Sequence, residues 1–348
     1  MLRRLFDHLT WNEIYALAER QGLAALVMDE LTQNLAMTQS IKADEEGTMQ
    51  VYQLFGATQM METKYERYER TVKSFSTFAR KQGIKMLVLK GYGASLNYPV
   101  PSHRHCGDID VFVINDGTID YSSLDKAVNE KFKIEVDQSS AHHSSFQLGE
   151  FLVENHKTVL DPDNHKENEA LNRLLAEEAV KDIREENGVL LPSVRFNSIH
   201  LLAHMAQDFA SVGSNLRQLL DWSNFVLKNS NEIDWDYVFK IANEFGMTPF
   251  LNALNAVCTE KLGYSKEMFP VRIKKDEESG LEKITDKVFA DLLKGSNKKL
   301  LPSQTNILHY GLVETIHFFQ NYWKHKMVYK ENIFASFWTL AKMRLAAK

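Results

Sequence analysis

The stretch MLVLKGYGASLNYPVPSHRHCGDIDVFV, residues 86–113, decides the fold of this chain. Its apolar run at 86–89 predicts a buried strand that ends at Lys90. Gly91 and Gly93 predict a turn, because glycine adopts backbone conformations that other residues avoid. A short helix at 94–98 and a second strand at 108–113 are predicted to follow. The stretch therefore predicts one strand, turn, helix and strand unit.

The second strand carries a pair of carboxylates. Because side chains alternate along a strand, Asp108, Asp110 and Phe112 share one face, and the aliphatic residues between them share the other, which we predict to be core. Two adjacent carboxylates repel each other unless a cation or protons lie between them. Mg²⁺ prefers hard oxygen ligands of this kind. The alternative is an ordinary solvent-exposed strand end that binds no metal.

The glycine turn before this strand suits phosphate groups, because free backbone N–H groups and a helix dipole attract anions. The segment resembles the uncharacterised nucleotidyltransferase family of the polymerase-β-like superfamily, whose pattern is a glycine turn followed by a strand with Asp-x-Asp. The residues that carry the resemblance are Lys90-Gly91, Tyr98, Arg104 and Gly107-Asp108-Ile109-Asp110. Here Gly91-Tyr92-Gly93 replaces the commoner Gly-Ser of the family's turn, and the loop before Asp108 is long.

A third carboxylate is expected on a hairpin further along the chain. Phe146–Leu148 and Phe151–His156 read as two strands joined through Gly149-Glu150, while the His142–Ser145 segment reads as a polar turn. The family carries an acidic residue two positions before a histidine on the strand beside Asp-x-Asp, which Glu154 and His156 match. The alternative for Glu154 is a solvent-facing residue of an edge strand.

Composition restricts the class of protein. With 348 residues, 44% of them hydrophobic and 25% charged, the chain has the composition of an ordinary soluble protein and room for two or three domains. A net charge of −5 disfavours a dedicated nucleic-acid binder. Two cysteines fit a reducing cytoplasm, and we expect neither a signal peptide nor a membrane span.

We predict an α+β fold with a small mixed β-sheet nucleotidyltransferase core between helical regions. The predicted boundaries are 1–82 for an N-terminal helical region, 83–163 for the core and 164–348 for a C-terminal helical domain. The aromatic residues of a long helix at 45–82, Tyr52 and Phe55 among them, are predicted to pack in the core. Residues 133–136 are predicted to form a short strand, and Asn187–Pro192 a small extended excursion within the C-terminal helices.

Two histidines one helical turn apart, His200 and His204, are followed by Asp208. This spacing can bind a transition metal, so a metal hydrolase is a less favoured alternative function. The simpler interpretation is that the two histidines only pack within the helical region. The family also carries histidines here, followed by an Arg and an Asp four apart, matched by Arg217 and Asp221. Through the resemblance we expect His204 or Arg217 to contact the nucleotide.

The resemblance implies transfer of NMP from an NTP, with ATP the expected one, to an unidentified acceptor hydroxyl, with release of pyrophosphate. Mg²⁺ is the expected cofactor, with Mn²⁺ as the alternative. The expected metal ligands and catalytic residues are Asp108, Asp110 and Glu154. The expected nucleotide-binding residues are Lys90, Gly91, Tyr92, Gly93, Arg104, His156 and Arg217. A nucleotide-binding or regulatory module without turnover is the main alternative.

Overall fold

The computed structural model describes residues 4, 9–115, 117–161, 166–211, 213–274, 278–295 and 307–330. Its helices are α1 Trp11–Gln21, α2 Ala24–Gln33, α3 Leu35–Lys42, α4 Glu45–Lys81, α5 Lys90–Ser95, α6 Tyr121–Phe132, α7 Lys166–Ala179, α8 Val194–Ser211, α9 Leu216–Lys228, α10 Trp235–Glu244, α11 Thr248–Glu260, α12 Glu278–Lys294 and α13 Ile307–Val328, with a 3₁₀ turn at Pro101–His103. Its strands are β1 Met86–Val88, β2 Asp108–Val113, β3 His143–Leu148, β4 Phe151–His156, β5 Arg184–Glu186 and β6 Val189–Leu191. The predicted α+β class is confirmed.

The strands form one mixed sheet in the order β3-β4-β2-β1-β6-β5. β2 is parallel to β4 and antiparallel to β1, so it lies in the middle of the sheet. Residues 187–192 were predicted only as an extended excursion, yet β5 and β6 form a hairpin whose second strand pairs with β1. Asn187 and Gly188 have positive φ angles of 54° and 81°, as the tight turn of such a hairpin requires.

Hydrophobic packing covers both faces of the sheet. Ile109, Val111 and Val113 of β2 belong to one core, which includes Tyr68 of α4. Phe112, on the opposite face, packs against a second and larger core formed mainly by the N-terminal and C-terminal helices. The alternation predicted from the sequence of β2 therefore holds.

The long helix α4 matches its predicted limits to within one residue, and its sequence explains them. The side chain of Asp44 accepts a hydrogen bond from the Gly47 N–H at 2.9 Å and so caps its first turn. Beyond its end Gly83 adopts a φ of 74°, which favours glycine. The prediction that its aromatic side chains are all core was wrong at Tyr52 and Phe55, which are 62% and 50% exposed.

Three local predictions were also wrong. The glycine turn is not a separate turn, because α5 already begins at Lys90 and includes both glycines. The His142–Ser145 segment is not a polar turn, because β3 begins at His143. Residues 133–136 form no strand. The predicted domain limits at 82 and 163 stay predictions.

Candidate active site

The parallel pairing of β2 with β4 brings two predicted carboxylates together. Asp110 lies directly opposite Glu154 in the ladder, and Phe112 lies opposite His156. Donor atoms of Asp110, Glu154 and His156 all lie within 4.8 Å of one another. This is the group of metal-ligand side chains found within the described chain.

Asp108, two residues earlier on the same face of β2, is exposed and is not part of this close group. It lines the same cavity, which has a volume of about 590 Å³. The hydroxyl of Tyr68 donates a hydrogen bond of 2.8 Å to the Asp108 main-chain oxygen. This bond fixes the start of β2 against α4.

Asp110 is buried, and two basic groups surround it. His156 Nε2 lies 2.9 Å from its Oδ1, and Lys90 Nζ lies 3.4 Å from the same atom. Burial alone would raise the pKa of Asp110, but Lys90 and the His156 hydrogen bond hold that pKa well below its ordinary value. Asp110 is therefore ionised at neutral pH.

Lys90, the first residue of α5, reaches across the cavity to α8. Its ammonium donates a hydrogen bond of 3.1 Å to His204 Nε2. Burial opposes its charge, yet Asp110, Asp108 and more distant carboxylates raise the pKa of Lys90 above its ordinary value. Burial and the nearby Lys90 charge lower the pKa of His204 well below its ordinary value, so His204 is neutral and can accept this bond.

Arg104 and Arg217, both predicted to bind nucleotide, line the cavity but have different partners. Arg104 is buried and donates from Nε and Nη2 to the two carboxylate oxygens of Asp221, at 3.0 and 2.8 Å. Arg217 Nη1 lies 3.3 Å from His105 Nδ1, and no carboxylate of the described residues lies within ion-pair distance of it. Arg217 is therefore better placed than Arg104 to bind an anion.

The cavity as a whole carries an excess of negative charge. Six carboxylates line it, and three cationic side chains, Lys90, Arg104 and Arg217, lie among them. A polyphosphate entering this cavity would meet net repulsion unless additional cations accompanied it. The arrangement is typical of a site that binds its anionic ligand together with divalent metal ions.

A family model, that of an uncharacterised nucleotidyltransferase, matches residues 7–263. The chain belongs to this uncharacterised nucleotidyltransferase family. Among solved structures, an antigenic nucleotidyltransferase-like protein from Paracoccidioides brasiliensis is similar to it with a TM-score of 0.34 and 14% identity, over 64% of this chain and 92% of that chain. No curated protein matches the chain.

The family resemblance seen in the sequence is thus confirmed, and the structure places its motif residues in two groups. The first group lines the cavity and consists of Lys90, Gly91, Arg104, Asp108, Asp110, Glu154, His156 and Arg217. Tyr92 and Gly93 do not: the Tyr92 hydroxyl donates to Glu69 at 3.2 Å, and Gly93 lies against Leu191 of β6. The helix that begins at Lys90 directs these two residues away from the cavity.

Gly91 has a steric role that the sequence does not reveal. A Cβ at this position would lie 2.5 Å from the Tyr68 hydroxyl oxygen and 3.3 Å from the Asp108 main-chain oxygen. Only glycine fits here without displacing the contact between α4 and β2.

The alternative metal group of His200, His204 and Asp208 does not come together as a site. His200 is fully buried, its ring packs on Phe196, and neither ring nitrogen has a hydrogen-bond partner among the described residues. His204 Nε2 already accepts from Lys90. The part of the chain that the structure describes therefore offers no geometry that supports the metal hydrolase alternative.

Three histidines of the cavity were missed as site residues. His105 lies beside Arg217, and His142 and His143 lie beside His156, with ring centroids 4.7 and 5.8 Å from that of His156. If the pairing of the predicted hairpin is extended away from its Gly149-Glu150 turn, His143 comes to lie opposite His156. The structure shows this pairing.

Crossing a bilayer needs a helix that is both long and apolar, and none of the helices in the described ranges has this combination.

Proposed function

We propose that the protein is a metal-dependent nucleotidyltransferase that transfers NMP from an NTP to an acceptor hydroxyl and releases pyrophosphate. The observation that carries the proposal is the convergence of Asp110 and Glu154 from two parallel strands, in a cavity that Asp108 also lines. Membership of the nucleotidyltransferase family supports it. The free, buried thiols of Cys106 and Cys258 suit a reducing cytoplasm as the proposed compartment.

The donor set fits a divalent cation. Asp110 is ionised, Glu154 is half-buried on the neighbouring strand, and Asp108 is open to the cavity. We propose that these three carboxylates hold Mg²⁺ or Mn²⁺ brought in with the nucleotide. When bound, such an ion supplies charge neutralisation and Lewis-acid activation of the phosphate.

The chain's own residues would bind and orient the reactants. Lys90 and Arg217 are the cavity cations placed to bind phosphate oxygens, and the planar fork of Arg217 suits two oxygens at once. Arg104 is a positioning residue in this proposal, because Asp221 holds its guanidinium. Glu154, with 23% of its side chain exposed, accepts the proton of the acceptor hydroxyl.

The test is incubation of purified protein with each α-³²P-labelled NTP and a native lysate. We expect label to appear on an acceptor and pyrophosphate to be released. Asp110→Ala is expected to abolish both while leaving the circular dichroism spectrum unchanged. Full activity in that variant would contradict the role of Asp110. Tight binding of metal and NTP without pyrophosphate release would instead favour a nucleotide-binding module.

A further inference from the structure

The Lys90 ammonium is held from two sides within the cavity. It donates a hydrogen bond of 3.1 Å to His204 Nε2 and lies 3.4 Å from Asp110 Oδ1. An ammonium has three N–H donors, and among the described residues these two contacts engage two of them. The Lys90 side chain is only 19% exposed, and it lines the cavity. The third N–H is therefore left for a ligand, in a direction that the other two contacts set.

The contact with Lys90 also determines where the His204 ring carries its proton. A lysine ammonium can only donate, so Nε2 is the acceptor and the proton of the neutral ring lies on Nδ1. His204 Nδ1 lies 3.6 Å from Asp208 Oδ2, one turn later on α8. Each ring nitrogen of His204 therefore faces a group of the opposite hydrogen-bonding character.

This line of contacts continues to the start of α9. Gln218 Nε2 donates to the same Asp208 Oδ2 at 2.6 Å. The orientation of the Gln218 amide is fixed, because its Oε1 accepts from the Asn215 main-chain N–H at 3.1 Å in the capping box of α9. Helices α8 and α9 carry none of the three carboxylates proposed to hold the metal, yet they position a lysine of that site.

We propose that His204 is a positioning residue, which holds the Lys90 ammonium so that its third N–H donates to a phosphate oxygen of the nucleotide. His204 acts on the phosphate only through Lys90 and does not bind the nucleotide itself. A lysine side chain is long and flexible, so holding it in place beforehand lowers the conformational entropy lost when a ligand binds. The inference rests on the proposed function for the identity of the ligand and adds the residue that orients one phosphate contact.

Calorimetry with inorganic tripolyphosphate and Mg²⁺ measures the phosphate contacts without a base or a reaction. His204→Leu removes the acceptor, and we expect the Kd to rise about 10-fold, as for the loss of one hydrogen bond to a charged group. His204→Gln can still accept from Lys90 through its side-chain oxygen, so its Kd should stay within about 3-fold of that of the unmodified protein.

Two further variants accompany this comparison. His204→Asn keeps a polar side chain that is too short to reach Lys90, so it should weaken binding as His204→Leu does, and it serves if the leucine variant does not fold. The matched control is His200→Leu, the same substitution one turn earlier on α8, at an imidazole that does not line the cavity. The control is expected to keep the Kd within about 2-fold.

A double-mutant cycle separates positioning from packing. Lys90→Met should weaken tripolyphosphate binding more than His204→Leu does. Adding His204→Leu to Lys90→Met should then change the Kd by less than about 2-fold, because His204 acts only through Lys90. If His204 only supported the packing of α8, its loss would weaken binding equally with and without Lys90.

An unchanged Kd in both His204→Leu and His204→Asn would overturn the proposal. Equal effects of His204→Leu with and without Lys90, or no binding of tripolyphosphate by the unmodified protein, would also overturn it. NMP transfer is assayed separately. Failure of transfer with the coupling of His204 and Lys90 present would refute the proposed function alone, and transfer with additive effects of the two substitutions would refute this inference alone.

Discussion

Asp221→Asn tests the buried ion pair that supports the loop leading into β2. The substitution keeps the shape of the side chain and removes its charge. Asp221 accepts from Arg104 at 3.0 and 2.8 Å and from the Tyr98 hydroxyl at 2.7 Å. The amide of asparagine has only one oxygen acceptor, and its NH₂ group would face a donor of Arg104 or Tyr98. The variant therefore leaves the Arg104 guanidinium without a counter-charge.

The expected cost follows from the burial of the pair. Only 10% of each of the two side chains is exposed, so water cannot replace the lost partner. Removing one member of a buried ion pair typically costs about 3–5 kcal/mol, because the remaining charge is left uncompensated. We expect the free energy of unfolding of Asp221→Asn to fall by about this amount.

The assay is urea unfolding followed by circular dichroism, with a surface pair as the matched control. Arg80 and Glu185 lie 2.7 Å apart, but their side chains are 54% and 51% exposed. Glu185→Gln is therefore expected to cost about 1 kcal/mol or less. In a double variant, Arg104→Met with Asp221→Leu, much of the lost stability should return, because no unpaired charge remains.

A loss in Asp221→Asn as small as that in Glu185→Gln would refute the argument, since it would mean that Arg104 finds water or another partner. If the loss is large but the double variant recovers nothing, the cost comes from packing around Tyr98 and not from the isolated charge.

Three further predictions concern other contacts. Gly91→Ala is expected to lower unfolding stability by about 1–3 kcal/mol, because its methyl group would displace the Tyr68 hydroxyl. Arg217→Met is expected to raise the Kd for an NTP with its metal about 10-fold or more, measured by calorimetry. Burial opposes the charge of His103, but hydrogen bonds to two carboxylates raise its pKa in the folded state. The stability that charged His103 adds is therefore present below about pH 6.5 and is lost as pH rises through that raised pKa.

Each of these has a control or a contrary outcome. Gly93→Ala meets its nearest atoms at 3.6 and 3.7 Å, which is ordinary contact, so equal losses in the two alanine variants would contradict the steric argument. An unchanged Kd in Arg217→Met would remove that residue from phosphate binding. For His103, the difference in melting temperature between the unmodified protein and His103→Gln should shrink from pH 6 to pH 9; a constant or growing difference would contradict the ion pairs with Asp29 and Glu62.

The sequence predicted those features that depend on local patterns. The limits of α4, the faces of β2 and the pairing around the Gly149-Glu150 turn follow from capping residues, alternation and turn chemistry. It could not predict the partner of Arg104, because Asp221 lies 117 positions away and only the packing of α9 brings it near. It also placed a turn at Gly91, where the close approach of Tyr68 and the packing of α5 override the low helix propensity of glycine.

The one-to-one ladder between β2 and β4 has a consequence for how this protein can vary. A slip of a single residue would set Val153 or Asn155 across from Asp110 and turn Glu154 to the opposite face of the sheet. Insertions are consequently tolerable at the Gly149-Glu150 tip but not within either strand. Homologues that keep Asp110 and Glu154 paired should differ freely in the length of the loop at this tip. They should have no insertion within β4 between its first residue and Glu154.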